Sequence, residues 1–342
     1  MSVLTEKQFT EALPSSLDLF ELDPYQTSIL QHYYDNVRPP LVITDSSPVE
    51  FHINNAGSDF VDFGRTRIHV KLRVTHADIS PLADKEKVGP VKLTLQSLWS
   101  QISVYLQGQQ VSSSNGGYPY KAMMQSLLEN GMDAKSSQLQ SQLFYKDTGD
   151  SVVDFNDPDP YGSGNDGLIN RGAFISGSKS VTLSGPLCED VFNFDRHIVN
   201  GVDVGIKLFR SNKSFVLMLG ESSKEYNIEL QDVYLKVCKL KINDALILAH
   251  NNLFEKGNAL YPYERSMVKM VSVPSTQLSY TWDNMFLNEM PSRLIVSLVK
   301  ADGLRGSYTV NPFCFEGDIV KSVGLYLNGT SVPGRPLETD DI

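Results

Sequence analysis

Histidine is the residue type in this chain best suited to metal binding or proton transfer, and six histidines are present. They are His32, His52, His69, His76, His197 and His250. His69 and His76 stand at an odd spacing, so they would lie on opposite faces of an extended strand. The sequence contains no HExxH motif and no Cys/His quartet with zinc-binding spacing. We therefore expect structural roles for the histidines.

An acidic, glycine-rich segment, Asp157–Gly167, is the candidate calcium site. Two aspartates and a glycine in it match positions of an EF-hand loop. Tyr161, however, stands at the third ligand position, and Leu168 stands where the closing glutamate belongs. The pattern therefore fails as an EF-hand and favours a solvated, turn-rich loop, with an adventitious cation site as the alternative.

Motifs for nucleophilic catalysis and phosphate binding are missing from the sequence: it has no GxSxG, GxxxxGK[ST] or GxGxxG. Cys188, Cys238 and Cys314 are odd in number and far apart, without CxxC spacing. Such cysteines are typical of buried or free thiols in a reducing compartment. We assign no catalytic, cofactor-binding or metal-ligating residue, and we predict neither an enzymatic activity nor a cofactor.

The charge of the chain argues against a general nucleic-acid surface. The formal net charge is -10 and the pI is close to 5.1, whereas phosphate binding needs clustered Lys and Arg. Arg65, Arg67, Lys71 and Arg73 alternate along one segment and could form an interior basic stripe that faces a packaged genome. Such a stripe is more often the solvent face of a strand. No specific nucleic-acid site is therefore predicted.

Strands with period-two alternation are the elements that would position these side chains. Between Arg65 and Val74, the apolar residues Ile68, Val70 and Leu72 share one face, which is typical of a half-buried antiparallel strand. Further strands are predicted at Pro48–Ile53, Val91–Leu106, Ser180–Leu183, Gly205–Phe209, Phe215–Leu219, Tyr226–Lys241, Val268–Val273, Arg293–Val299 and Val323–Leu327. Many short strands and few helices predict an all-β sandwich or barrel.

A few helices and two irregular segments complete the pattern. Helices are predicted at Tyr120–Glu129, Ala134–Leu143 and Asp244–Glu255. Asp147–Ser180 is predicted as an exposed loop because turn residues occur throughout it. Residues 1–40 are predicted as an apolar arm, with turns or a helix at Asp23–Tyr34, that packs on its own body or on a neighbouring chain.

A weak internal duplication is the most informative feature of the sequence. Arg67–Asp78 is similar to Arg293–Asp302, and Val104–Ser112 is similar to Leu325–Pro333. Two matches in the same order and at nearly the same offset favour two copies of one sandwich unit, with chance similarity between amphipathic strands as the alternative. Little of the chain follows the second match. We therefore expect a second unit that is incomplete, or closed by another segment, with unpaired sheet edges.

A series of short motifs follows a specific order along most of the chain: Ser16–Phe20, Tyr25–Ser28, Pro48–Ile53, Val88–Leu95, Tyr118–Tyr120, Leu143–Thr148, Gly185–Leu187, Asn200–Leu208 and Asn311–Phe313. In these motifs the chain resembles the major capsid proteins of Polinton/Maverick elements and the related adintoviruses. Those proteins are hexon-type double jelly rolls. The chain departs from them at the C-terminus, where they carry a further half-domain.

The resemblance implies an all-β double jelly-roll β-sandwich with a few short helices, a second jelly roll that is incomplete at the C-terminus, and no catalytic residue. It also implies homotrimers that form pseudo-hexagonal capsomers, contact neighbouring capsomers and tile an icosahedral shell. Penton or minor capsid proteins would be further partners. The protein would be part of the virion capsid and would assemble in the host cytoplasm or nucleus.

The expected organisation is an N-terminal arm at 1–40, a first jelly roll at 41–241 and a partial second jelly roll at 242–342. The alternative function is a jelly-roll carbohydrate- or receptor-binding module that uses the loop Asp147–Ser180, where the aromatic residues Phe155, Tyr161 and Phe174 are few. A hydrolase is disfavoured because no nucleophile or metal constellation is present. No signal peptide and no membrane-spanning apolar run is recognisable, so we expect folding in the cytosol or nucleus.

Overall fold

The computed structural model describes residues 25–84, 86–112, 116–148, 165–219, 224–286, 290–317 and 319–338. Residues 157–164 of the candidate calcium segment lie outside this part of the chain, and so do residues 1–24 of the predicted arm. No helix within the described ranges is both long enough and apolar enough to cross a membrane.

Strands form most of the regular structure. They are β1 (Ile29–Val37), β2 (Val49–Ile53), β3 (Phe60–His76), β4 (Val88–Pro90), β5 (Trp99–Leu106), β6 (Gln109–Gln110), β7 (Val181–Gly185), β8 (Val204–Arg210), β9 (Leu217–Leu219), β10 (Tyr226–Ile242), β11 (Ser322–Leu327) and β12 (Thr330–Glu338). The helices are α1 (Thr94–Ser97), α2 (Tyr118–Glu129), α3 (Met132–Ser136), α4 (Asp166–Ile175), α5 (Lys213–Val216), α6 (Asp244–Phe254) and α7 (Ala301–Arg305). Short 3₁₀ turns lie at Gln138–Gln142, Ser176–Ser178 and Asp190–Asn193.

Eight of these strands form two four-stranded sheets whose order identifies the fold. One sheet runs β1-β10-β3-β7 and the other runs β2-β8-β5-β6, with antiparallel pairing throughout. If the eight strands are lettered B to I along the chain, the sheets read B-I-D-G and C-H-E-F. That order is the jelly roll, in which strands from late in the chain lie between strands from its beginning. The predicted all-β sandwich with a few short helices is confirmed.

The core lies between the two sheets because their inward-facing residues alternate with polar ones. Ile68 and Val70 of β3 are fully buried on one side, and Phe51, Ile102 and Ile206 are fully buried on the other. Each such side chain contributes about 1.5–3 kcal/mol relative to an exposed position. The alternation predicted for β3 is thus confirmed, and it fixes which face of the strand carries the charged residues.

The two hairpins that the repeat places in register have the same geometry. Gln107 and Gly108 join β5 to β6 with φ of 49° and 75°, and Asn328 and Gly329 join β11 to β12 with φ of 49° and 83°. Two successive positive φ values define a type I′ turn, which suits the twist of a hairpin. The second match of the duplication therefore holds at the level of backbone geometry.

Strand β1 departs from the expectation for residues 1–40. Residues 29–37, part of the predicted arm and of the predicted turns or helix at Asp23–Tyr34, pair with β10 and belong to the sandwich upstream of residue 41. The half-buried residues are Ile29, Tyr33 and Val37. These residues are four apart, a spacing that is also typical of one face of a helix. An edge strand that is mostly exposed does not need strict alternation of apolar and polar residues, so its sequence can have this spacing.

The predicted loop Asp147–Ser180 is also corrected in its described part. Residues 165–178 contain the ten-residue helix α4, which begins after Asn165, whose side chain accepts a hydrogen bond from Leu168 N–H. The predicted helix Ala134–Leu143 is divided between α3 and a 3₁₀ turn. These segments cover one end of the sandwich instead of projecting from it as an excursion.

The C-terminal part of the chain contains fewer strands than the sequence predicted. Val268–Val273 and Arg293–Val299 are extended coil without a described partner strand, whereas Val323–Leu327 lies in β11 as predicted. An amphipathic segment forms a strand only when a neighbour satisfies its backbone groups. The division of the chain at 241/242 into a complete and a partial jelly roll stays a prediction.

Candidate functional site

The six histidines lie apart, and their contacts are those of structural residues. The His69 ring stacks on Tyr234 with centroids 4.8 Å apart, and burial together with the charge of Lys236 lowers the pKa of His69. His76 Nε2 lies 3.2 Å from a carboxylate oxygen of Glu86. Within the described residues, no group of three His, Cys, Asp or Glu side chains is placed to hold a metal ion.

The remaining histidines and the cysteines are equally dispersed. His250 stacks on Phe60, whereas His52 and His197 each lie about 4 Å from one carboxylate. His32 is in register with Leu240 on the outer strand β1. The thiols of Cys188, Cys238 and Cys314 are buried, as predicted, and burial raises the pKa of Cys188 to about 12. A thiol with such a pKa stays protonated at neutral pH and is a poor nucleophile.

The basic stripe predicted on β3 lies on the outer face of the sheet and is largely matched by acceptors. Arg73 donates two hydrogen bonds to Glu229, at 3.0 and 2.7 Å. Arg67 donates to two backbone carbonyls, and Arg65 lies 3.6 Å from Asp62. Lys71 is exposed. The arrangement fits the solvent face of a strand better than a track for a phosphate backbone.

A buried ionic cluster at the end of the sandwich was missed by sequence reasoning. Arg171 of α4 is fully buried, and it donates to the carbonyls of Pro90 and Tyr145 and to Asp147 Oδ1. Lys92 Nζ lies 3.6 Å from the other carboxylate oxygen of Asp147. Burial opposes ionisation of Asp147, but the two cations outweigh it and lower its pKa. The cluster joins the α4 segment to β4.

A second buried cluster lies on the side of the sandwich where α2 packs. Lys121 Nζ lies 3.0 Å from Glu189 Oε2 and 2.9 Å from Asp190 Oδ1. Asp190 Oδ2 accepts a hydrogen bond from the backbone N–H of Ser266 at 2.9 Å. Burial raises the pKa of Glu189 to about 7, against the lowering effect of Lys121. Two carboxyl groups thus share one lysine in a dry environment.

An open depression lined by charged residues is a further place in the described chain where a small ligand could bind. Arg210 and Lys213 line it, and both contact Asp45; the Lys213 Nζ to Asp45 Oδ2 distance is 3.1 Å. Arg210 also donates to the Ile228 carbonyl at 2.7 Å. Because one carboxylate already engages both cations, the depression has little charge left for an anionic ligand.

The aromatic residues proposed for sugar binding do not form a platform in the described chain. Phe174 is 43% exposed, and its ring lies 6.0 Å from that of Tyr145. Phe155 and Tyr161 lie outside the described residues. The receptor- or carbohydrate-binding alternative therefore has no geometric support from the part of the loop that is described.

A large apolar surface follows the sandwich along the chain. Beyond Ile242, Pro312, Phe313 and Cys314 are the apolar side chains that are buried in the described residues. The large exposed ones are what we call the C-terminal apolar surface: Leu248, Leu253, Phe254, Leu260, Tyr263, Met270, Val271, Val273, Leu278, Tyr280, Met290, Ile295, Val296, Ile319, Val323, Leu325, Tyr326, Leu327, Val332 and Leu337. Apolar side chains exposed in such number are candidates for an interaction surface.

The β5–β6 and β11–β12 hairpins differ in whether a neighbouring strand covers them. Val104 of β5 is fully buried and is in register with Ile206 of β8, whereas the matching residue of β11, Leu325, is 39% exposed. Among the described strands, β11 pairs with β12 alone. The second edge of β11 thus has no partner strand within the described part of the chain.

Two aromatic contacts are among those that hold the C-terminal segment against the sandwich. Phe313 packs between Tyr120 and Phe215, with ring centroids 5.7 and 5.8 Å away. Tyr261 stacks on Phe194 at 5.7 Å, and its hydroxyl accepts from Val199 N–H. The segment is docked at these points, while most of its apolar residues stay exposed.

The strand order defines a jelly-roll protein. No protein-family model matches the chain. The chain is 22% identical over 306 residues to an uncharacterized protein of Caenorhabditis elegans, and the match covers 86% of this chain and 69% of that protein.

Three solved structures have similar folds. A chain of the Sputnik virophage is 12% identical with a TM-score of 0.44, over 69% of this chain and 53% of that one. The Faustovirus major capsid protein is 11% identical with a TM-score of 0.39, over 69% and 58%. The mavirus major capsid protein is 12% identical with a TM-score of 0.35, over 70% and 53%. The chain thus spans little more than half the length of these proteins.

Proposed function

We propose that this chain is a structural protein that builds a capsid from tandem jelly rolls. The observation that carries the proposal is the jelly-roll strand order of residues 29–242, followed by a second copy of its β5–β6 hairpin at β11–β12. Jelly rolls are the usual building blocks of viral capsids. The domain division is a first jelly roll at 41–241, which β1 extends upstream, and part of a second at 242–342.

The strand order of the first sandwich explains why only one hairpin of the second unit is formed among the described residues. In the first sandwich, β8 lies between β2 and β5, and β10 lies between β1 and β3, so early strands depend on late ones for partners. The β5–β6 hairpin is the pair that early strands form by themselves. In the second unit the corresponding β11–β12 hairpin is formed, and Arg293–Val299, the counterpart of β3, stays unpaired. This is the pattern expected when another segment supplies the strands that would pair with Arg293–Val299.

The C-terminal apolar surface gives the proposal its energetic basis. Exposed apolar side chains beyond Ile242 gain free energy when they are covered, at about 25 cal/mol per Å². Copies of the subunit would cover them, since symmetric self-association is the commonest way to bury such a surface. The subunit would act through its shape and its interfaces.

The finer assignment rests on the resemblance in sequence. The protein would be a major capsid protein of the Polinton/Maverick type, whose homotrimers form pseudo-hexagonal capsomers of an icosahedral shell. Its partners would be neighbouring capsomers and penton or minor capsid proteins, and its location would be the virion. None of these roles requires an enzymatic activity.

Size-exclusion chromatography with light scattering, followed by negative-stain microscopy, tests the proposal. We expect the purified chain to elute as a trimer or larger assembly and to show three-fold particles. A folded chain that stays monomeric over a wide range of concentration, salt and pH would contradict the proposal.

A matched pair of variants tests the surface itself. Leu325→Asp with Leu327→Asp places charges on the free edge of β11, and we expect it to abolish assembly. The control, Leu41→Asp with Val42→Asp, alters residues that are 72% and 87% exposed but lie outside the C-terminal apolar surface. If both variants assemble like the unmodified chain, this surface is not the interface.

A further inference from the structure

The cluster of Lys121, Glu189 and Asp190 has more negative charge than its single lysine can balance. The three side chains are 8%, 3% and 10% exposed. A buried charge without a partner costs several kcal/mol, so both carboxyl groups cannot be ionised together at low cost. Burial holds the pKa of Glu189 at about 7, and Glu189 is therefore a neutral acid in a large fraction of molecules near neutral pH.

We propose that this cluster is a self-modification site, at which Lys121 and Asp190 form an intramolecular isopeptide bond with Glu189 as the proton-transfer group. This inference does not depend on the proposed capsid function. It rests on the positions of three side chains and one backbone N–H group.

The positions of the reacting atoms suit the attack of an amine on a carboxyl group. Lys121 Nζ lies 2.9 Å from Asp190 Oδ1, so the nitrogen is in direct contact with the carboxyl group that it would attack. Glu189 Oε2 lies 3.0 Å from the same nitrogen, close enough to remove a proton from it. Attack on the Asp190 carboxyl carbon would give a tetrahedral intermediate.

The other oxygen of Asp190 is already held by a hydrogen-bond donor. The backbone N–H of Ser266 donates to Asp190 Oδ2 at 2.9 Å. When the nitrogen of Lys121 attacks, negative charge develops on this oxygen, and a fixed backbone N–H group stabilises such an oxyanion. Asp190 Oδ1, on the side of Lys121 and Glu189, is then the oxygen that leaves.

The step balances without any other reactant. The ammonium of Lys121 first gives one proton to Glu189, and the neutral amine attacks the Asp190 carboxyl carbon. The C–N bond forms and the C–Oδ1 bond breaks. Glu189 returns its proton to Oδ1, then takes a second proton from the attacking nitrogen and passes it to the same oxygen, which leaves as water. An ammonium and a carboxylate thus become an amide and one water molecule, and Glu189 ends as it began.

The other buried lysine provides an internal contrast. Lys92 Nζ lies 3.6 Å from Asp147 Oδ2, but Arg171 and Lys92 lower the pKa of Asp147 and keep it ionised. Among the described residues, Asp147 is the carboxyl group in contact with Lys92, and no second one lies beside it to carry the proton. Lys92 is therefore the matched control for Lys121.

Intact-mass spectrometry of the purified, folded chain tests the proposal. We expect a mass lower than that of the sequence by one water molecule, and a branched tryptic peptide that joins the segments containing Lys121 and Asp190. The Lys121→Arg variant keeps the charge but should have the full mass. Glu189→Gln should also have the full mass, because it removes the proton-transfer group.

The Lys92→Arg variant should keep the mass deficit of the unmodified chain. The wild-type peptide map decides the question even if a variant fails to fold. A folded wild-type chain of full mass, with Lys121 and Asp190 in separate linear peptides, would show that the cluster is an ion pair only and would overturn the proposal. A mass deficit that persists in Lys121→Arg would overturn it as well.

Discussion

Arg171 donates a hydrogen bond to Asp147 across 2.7 Å, and both side chains are buried in a stretch that the sequence predicts to be an exposed loop. Asn165 donates to the same carboxylate at 3.2 Å, and so does Asn311 at 3.3 Å. One carboxylate thus holds together α4, the segment before it and the C-terminal segment.

Asp147→Asn should destabilise the fold strongly, because it leaves the charges of Arg171 and Lys92 buried without a counterion. We expect a loss of about 3–5 kcal/mol in the free energy of unfolding. Urea denaturation monitored by tryptophan fluorescence measures it. The control Asp133→Asn, at an exposed position of α3, should change stability by less than about 0.5 kcal/mol. Equal effects would show that the cluster is not a stabilising unit.

Phe51→Ala should cost about 3–5 kcal/mol, since the Phe51 side chain is fully buried between the two sheets and its removal leaves a cavity. Leu278→Ala, at a position that is fully exposed in the C-terminal apolar surface, should leave the unfolding of a single subunit within about 0.5 kcal/mol. Thermal melts at low protein concentration compare the two. A large loss from Leu278→Ala would mean that this surface is buried within one chain.

Gly108→Val should destabilise the first hairpin by about 1–2 kcal/mol or more, because Gly108 has a φ of 75° that a β-branched residue adopts poorly. Gly257→Val is the control, since a Cβ at Gly257 meets no atom within 4 Å and its φ is not in the left-handed region. Denaturant midpoints of the two variants measure the difference. Equal midpoints would contradict the assignment of the type I′ turn.

Stability should depend on pH through Glu189, whose pKa rises from 4.5 to about 7 on folding. Between these values the folded state binds more protons than the unfolded state, so its contribution is full below pH 4.5 and is lost as the pH rises through 7. The shift corresponds to about 3 kcal/mol. Glu189→Gln should remove this dependence, which unfolding free energies at pH 5 and pH 8 would reveal. An unchanged pH profile in the variant would argue against the raised pKa.

The sequence predicted the elements whose pattern is local. The alternation of Ile68, Val70 and Leu72 located β3, because the period of a strand can be read along the chain. The duplication matched Val104–Ser112 to Leu325–Pro333, and the first of these segments contains the turn at Gln107–Gly108. The same turn at Asn328–Gly329 supported the duplication. These features do not depend on knowledge of a distant partner.

Features that depend on distant partners were missed. Strand β1 forms because its backbone pairs with the edge of β10. The sequence of Ile29–Val37 contains no signal for this pairing. From the sequence, Arg171 is a polar residue in a predicted loop. Its burial depends on its hydrogen bonds to Pro90, Tyr145 and Asp147, none of which is close to it in the sequence. Conversely, Arg293–Val299 has the pattern of a strand but stays coil, because β-propensity is realised only beside a neighbour.

Leu235 of β10 pairs with Val37 on one side and with Ile68 on the other. During synthesis, the segments that contain Val37 and Ile68 therefore leave the ribosome long before the strand that joins them. Contacts at such large sequence separation make folding slow. Apolar segments of the nascent chain stay uncovered until β10 has been made, and we expect this interval to be the one in which the chain is most prone to aggregation.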